Sequence, residues 1–259
     1  MHVFIALIYI IYLYYIVQNV HNYIIIKPEV QMDHFSVSNP NLLVNFSFWF
    51  ATAMMLASTA FFYVERKDVS IKWKTSLTVA MLVTGIAFWH YMYMSKYFFD
   101  TGQSPLVLRY VDWLITVPLQ IVEFYLILAA VTMVSRSLFW KLLGASLVML
   151  IAGFLGEAEM MSRMPAFFIG MVGWFAVLYL IFMGEAAKVN TDSGNKAGQM
   201  AFNALRMIVL VGWSIYPIGY YLNSTGDAMT TNIIYNFADL VNKAAFGLVI
   251  WAAAKTDKS

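Results

Sequence analysis

The chain has 259 residues, 61% apolar and only 12% charged, with a mean hydropathy of +0.70 and a net charge of +2. A soluble domain carries about 25% charged residues, so this composition excludes an ordinary soluble fold and points to a bilayer. The lack of cysteine excludes disulfides, thiolate metal sites and a cysteine nucleophile, and nothing in the charge balance calls for a nucleic-acid partner.

The chain opens with VFIALIYIIYLYYIV, residues 3–17. It is apolar, but no Lys or Arg precedes it and no A-x-A cleavage site follows. Residues 1–31 therefore read as an uncleaved anchor, an atypical signal, or sequence upstream of a start at Met32. Seven blocks then have the roughly 20 apolar residues that a spanning helix needs: 42–64, 75–95, 106–132, 138–156, 164–184, 201–222 and 231–254. Between them lie short polar segments such as ERKDVSIKWK, DTGQSP and EMMSRMP, rich in turn residues. The expectation is an all-α membrane protein, a seven-transmembrane-helix bundle over residues 32–255, with 256–259 as a short tail.

Arg66, Lys67, Lys72, Lys74, Arg136, Lys141, Lys188, Lys196, Lys255 and Lys258 fall on one side of that bundle, and only Lys27, Lys96 and Arg163 on the other. By the positive-inside rule the C-terminus is cytoplasmic and the first helix starts outside. The histidines, His2, His21, His34 and His90, form no HExxH or other metal-ligand spacing. No GxGxxG, Walker A or GxSxG motif occurs, so the chain reads as neither a metal protein nor an enzyme.

The third block carries RYVDWLITVPLQIVE, residues 109–123, with four polar or ionisable groups in one spanning helix. A charged group near the bilayer centre costs about 2.5–3.5 kcal/mol or more, so it is a functional candidate by default. Asp112 and Glu123 are 11 residues apart, which returns to within about 20° of the same face after a rise of about 16 Å. Thr116, at i+4 from Asp112, shares that face and is placed to bond its carboxylate. Arg109 lies one turn toward the outside. This is a spaced proton path.

Glu157 and Glu159, at an outer helix end, read as solvated, and Arg206 as an interface anchor. Trp113, Trp174, Trp213, Tyr216 and Tyr235 fall near the centres of four helices. The last block, YNFADLVNKAAFG, stacks Asp239 and Lys243 on one face. Lys243 is about 18 Å from either interface at 1.5 Å per residue, too far to snorkel. A mid-membrane lysine with a carboxylate one turn away suits a Schiff base and its counter-ion. Asn242, beside it, reads as a packing residue.

The segment 109–123 with FYLILAA after it, together with TGIAFWHYMYM, GWSIYPIGY and DLVNKAAFGLVIW, resembles the microbial (type 1) rhodopsins, most of all the proteorhodopsins of aquatic bacteria. The similarity covers about residues 45–255 and falls at matching places in four helices. It implies all-trans retinal bound covalently at Lys243 as a protonated Schiff base, with Asp112 and Asp239 as counter-ions. Asp112 would accept the proton after light absorption and Glu123 would be the donor. His90 would hydrogen-bond Asp112 and tune its pKa, and Arg109 would serve the outward path. Trp113, Met149, Gly153 and Trp174 would line the retinal, with Trp213, Tyr216, Pro217 and Tyr235. Gln120 would flank it and set a blue absorption, since a leucine there accompanies green.

The function implied is a light-driven outward proton pump in a bacterial inner membrane, assembled as a pentamer or hexamer. The alternative is a photosensory rhodopsin with a slow photocycle, against which Glu123 weighs. A chloride pump would lack the carboxylate at 112, and a sodium pump would show Asn-Asp-Gln at 112, 116 and 123. A retinal-free membrane hydrolase would need a nucleophile and base, and none is found.

Overall fold

The computed structural model describes residues 35–224 and 227–257. The N-terminal segment 1–31, the start at Met32, His2, His21, His34 and Lys258 lie outside the described residues. Contacts divide the chain into residues 1–46 and 47–259. The described part of the first unit holds turns closed by Asn39 N–H to Ser36 O (2.9 Å) and Leu42 N–H to Asn39 O (3.1 Å).

Among the described residues there are seven helices long and apolar enough to cross a membrane, and no strand. They are α1 (Leu42–Asp68), α2 (Ile71–Thr101), α3 (Leu106–Val131), α4 (Arg136–Glu157), α5 (Arg163–Asp192), α6 (Lys196–Leu222) and α7 (Ala228–Thr256). The seven expected blocks are all present, but several run further than hydropathy alone indicates. The second is helical over 31 residues because its ends are polar turns that hydrophobicity does not mark. The segment expected to be a loop after residue 184 is partly helical, Glu185–Asp192, and α6 begins at Lys196 rather than 201. Asn195 caps that start, its side chain accepting from the Gly198 N–H at 2.7 Å, which supplies one of the helix's orphan donors with a partner.

The outer faces of the helices are apolar, and the charged side chains within the spans turn inward into a largely apolar core. On α5, Phe168, Val172, Phe175 and Tyr179 form an exposed stripe while Trp174, Val177 and Ile181 are buried. Inside, Arg109, Asp112, Glu123, Asp239 and Lys243 are each at most 2% exposed. Lipid cannot satisfy a polar group, so these side chains turn inward, where other polar groups can.

Close packing of α4 against α5 depends on Gly173. A Cβ there would stand 2.7 Å from the Met149 nitrogen and 2.8 Å from the Ala145 oxygen. Both are backbone atoms and cannot swing away. Small residues of this kind let membrane helices approach closely. Gly173→Ala should therefore push the two helices apart and destabilise the fold by about 1–3 kcal/mol. Thermal unfolding in detergent measures it, and an unchanged midpoint would show that the contact carries no strain.

Two helices are interrupted by wider turns. α6 contains a π-helical turn at Ile208–Gly212, and α7 one at Val241–Ala245. Such turns occur often at functional sites. The second one holds Lys243.

Candidate functional site: a buried lysine between two carboxylates

α7 brings a polar stripe to the interior at spacings of four, three and four: Asn232, Asn236, Asp239 and Lys243. α3 faces it with Arg109, Asp112 and Thr116, and α2 adds His90 and Tyr91. The Lys243 Nζ donates to Asp112 Oδ2 at 2.5 Å and to Asp239 Oδ2 at 2.8 Å. A fully buried ammonium between two carboxylates is costly to assemble unless every remaining lone pair finds a donor.

The two carboxylates are furnished differently. Asp239 also accepts from the Tyr91 hydroxyl (2.9 Å), the Trp113 Nε1–H (3.1 Å) and the Tyr216 hydroxyl (2.6 Å). Asp112 has, besides the lysine, only the His90 Nδ1 at 3.2 Å from its Oδ1. Proton uptake by Asp239 would disturb several neutral hydrogen bonds, whereas uptake by Asp112 would disturb only the histidine contact.

Thr116 does not bond the Asp112 carboxylate as its spacing suggested. Its hydroxyl donates instead to the Asp112 main-chain oxygen at 2.9 Å. This is the i−4 bond readily open to a threonine in a helix. Arg109 lies one turn from Asp112, on the side away from Glu123, and donates to Asn232 Oδ1 (2.8 Å), Asn236 Oδ1 (2.6 Å) and the Tyr91 hydroxyl (3.4 Å). The rings of Phe48, Tyr91 and Tyr235 surround its guanidinium at 5.3–5.9 Å. Tyr91 and the two asparagines were absent from the sequence reading. The stripe spacing that carries Asn232 and Asn236 was visible there, while Tyr91 had no signal beyond its place beside His90.

Beyond Trp113 and Tyr216 lies an apolar cavity. Its wall comes from α3, α4, α5 and α6. Trp113, Met149, Gly153 and Trp174 line it, together with Trp213, Tyr216 and Pro217. Gly153 gives room to the Tyr110 hydroxyl, which a Cβ there would approach to 2.9 Å. The arrangement fits a long apolar group joined to Lys243, its charged end between the carboxylates and its body between aromatic walls.

A family model described as bacteriorhodopsin-like protein matches residues 42–257. This chain belongs to that family. It is 57% identical over 221 residues to a blue-light absorbing proteorhodopsin of Gamma-proteobacterium Hot 75m4, covering 83% of this chain and 88% of that protein. It is 54% identical over 217 residues to a green-light absorbing proteorhodopsin of Gamma-proteobacterium EBAC31A08, covering 82% and 87%. Among solved structures, a blue light-absorbing proteorhodopsin from Med12 superposes with a TM-score of 0.73 at 56% identity, over 83% of this chain and 99% of the other. The Exiguobacterium sibiricum rhodopsin superposes with a TM-score of 0.75 at 33% identity, covering 83% and 97%.

Within this rhodopsin framework several expected positions behave differently from their sequence reading. Tyr235 does not line the cavity. It stands behind Trp113, ring centroids 5.4 Å apart, and behind Tyr216 at 5.9 Å. Asn242 does more than pack: its Nδ2 donates to the Gly212 oxygen and the Tyr216 hydroxyl, both at 3.1 Å, tying α7 to α6. Gln120 neither stays within its own helix nor lines the cavity. Its Nε2 donates to the Asn242 main-chain oxygen at 2.5 Å, on the turn that carries Lys243. Glu157 is not solvated, although Glu159 is exposed. The α5 arginine Arg163 reaches within 3.6 Å of Glu157, whose side chain is fully buried. Arg206 is half-buried with its guanidinium over the Phe182 ring at 5.0 Å.

Glu123 sits apart from this cluster, fully buried in the other half of α3. Ser76 of α2 faces it, and neither carboxyl oxygen accepts a hydrogen bond of good geometry. Phe124, the next residue of α3, packs its ring on Phe202 (5.5 Å) and Phe246 (6.0 Å).

Proposed function

We propose that this chain is a light-driven outward proton pump carrying all-trans retinal as a protonated Schiff base on Lys243, in the blue-absorbing form. One observation carries the reading: Lys243 is held between two buried carboxylates while a third buried carboxyl, Glu123, stands further along the same helix as Asp112. A vectorial pump needs an acceptor on one side of the transported proton and a donor on the other.

Bound retinal supplies light absorption and a change of shape that moves the Lys243 nitrogen. Asp112 then takes the proton from that nitrogen, since Asp239 is held by Tyr91, Trp113 and Tyr216. His90 holds the far oxygen of Asp112 and tunes its affinity for the proton. Arg109, with Asn232 and Asn236, forms the outward side of the path. Glu123 returns a proton to the lysine nitrogen and is recharged from the cytoplasm. Charge separation of this kind is favoured where donor and acceptor are preorganised in a water-poor interior.

On this reading residues 32–255 form the retinal-binding domain, in a bacterial inner membrane, with the C-terminus cytoplasmic. Assembly as a pentamer or hexamer is part of the same proposal. The test is light-driven pH change in cells expressing the chain with added retinal. Outward acidification abolished by a protonophore is the expected result. A coloured protein that moves no protons would overturn the pump and favour a sensor.

Colour depends on Gln120. Its amide lies on the Lys243 side of the site, where a dipole stabilises the positive charge of the ground state more than that of the excited state. Gln120→Leu should shift absorption to the red by tens of nanometres at alkaline pH, and an unmoved or blue-shifted band would remove Gln120 from tuning.

A further inference from the structure

A buried carboxylate remains that the transport path does not use. Glu157 ends α4 with its side chain fully buried, 3.6 Å from the guanidinium of Arg163 on α5. The Tyr110 hydroxyl of α3 lies in hydrogen-bonding reach of it. Tyr220 of α6 packs on Arg163, its ring centroid 4.7 Å from the guanidinium. Arg163 is locked in place, donating from Nη2 to the Tyr220 oxygen at 2.7 Å while the Tyr220 hydroxyl donates back to the Arg163 oxygen at 2.9 Å. Gly156 permits this closure, because a Cβ there would run into the Tyr220 hydroxyl and the Ala166 Cβ.

The position of this cluster relative to the cavity gives it a role. Lys243 is on α7, whereas the cavity wall is built from α3 to α6 and includes Tyr110, Gly153, Ala166 and Tyr220. A chromophore attached at Lys243 must therefore end on the α4–α5 side. Tyr110 and Tyr220 are at once part of that wall and neighbours of Glu157 and Arg163 respectively. One layer of side chains thus stands between the Glu157–Arg163 pair and the cavity.

We propose that Glu157 is a second electrostatic control on the chromophore, acting at the end opposite the counter-ions, with Arg163 as its opposing charge. This rests on the retinal reading above. Light absorption moves positive charge from the Lys243 end toward the far end. A carboxylate there stabilises the excited state and narrows the gap, and the arginine does the reverse. Glu157 is thus a positioning and tuning residue, not one that carries the transported proton.

The test is the absorption spectrum of the full chain reconstituted with all-trans retinal, at one alkaline pH. Glu157→Gln should shift the band to the blue and Arg163→Gln to the red. Each shift should be roughly 3–10 nm, for about half a charge displaced at an effective dielectric constant of about 20. Glu157→Asp should keep the wild-type colour, and Tyr110→Phe, which retains the ring, should move it to the red. Opposite signs are the diagnostic, because simple loosening of the α4–α5 contact would move both charge variants the same way. Shifts of one sign, or none, overturn the proposal. If Glu157→Gln fails to assemble, Arg163→Gln decides alone, a red shift supporting it and any other result overturning it. A wild-type chain that takes up no retinal overturns the functional reading itself, whereas a coloured wild type with unshifted variants overturns only the role of Glu157.

Discussion

On the proposed attachment of retinal to Lys243, Lys243→Ala should abolish the visible absorption band altogether. Among the described residues Lys243 is the only buried lysine, and it touches both Asp112 and Asp239. The variant also leaves two buried carboxylates without their cation. Breaking a buried ion pair in this way costs about 3–5 kcal/mol, so the colourless protein should unfold at a lower temperature as well. Its helical content by circular dichroism separates loss of the attachment point from loss of the fold. Colour that survives washing and denaturation in the folded variant would show that the covalent link lies elsewhere.

With Glu123 as the proposed donor, Glu123→Gln should leave the pigment and the first proton transfer intact and slow recovery of the lysine nitrogen. The amide matches the carboxyl in shape, and no described ion pair involves Glu123, so the fold should tolerate it. A positioned general acid contributes roughly 10²–10⁴-fold to a proton transfer, and a slowing of at least about 10²-fold is expected. Flash photolysis reads it directly. Azide, a small weak acid that diffuses into the cytoplasmic half, should restore speed in proportion to its concentration. Recovery as fast as wild type, without azide, would take Glu123 out of the path.

The contrast between these two variants follows from how α3 is built. Eleven residues separate Asp112 from Glu123, about 16 Å along one face. Near Asp112 that face meets the polar stripe of α7, with its lysine, tyrosine and asparagines. Near Glu123 it meets Ser76, and neither carboxyl oxygen has a hydrogen-bond partner of good geometry. One helix thus offers a carboxyl in contact with a cation and another in no described ion pair.

The sequence by itself determined the seven spans, the inward placement of the charged residues and the pairing of Asp239 with Lys243. Those features depend on hydropathy over about 20 residues and on helical spacing, both of which are local. It also placed Trp113, Trp174, Trp213 and Tyr216 near the helix centres, where they line the cavity, whereas Tyr235, placed likewise, stands behind Trp113. Tertiary structure alone decided which partners the polar groups take. Thr116 bonds a main-chain oxygen instead of a carboxylate, and Gln120 crosses to Asn242, because a side chain's nearest partner depends on how neighbouring helices are rotated. The π-helical turn at Val241–Ala245, which bears Lys243, has no local sequence mark. Glu157 is the sharpest case. Its place at a helix end says exposed, yet its side chain is fully buried beside Arg163 of α5. Burial at a helix end depends on what packs over it, and that is not written in the helix itself.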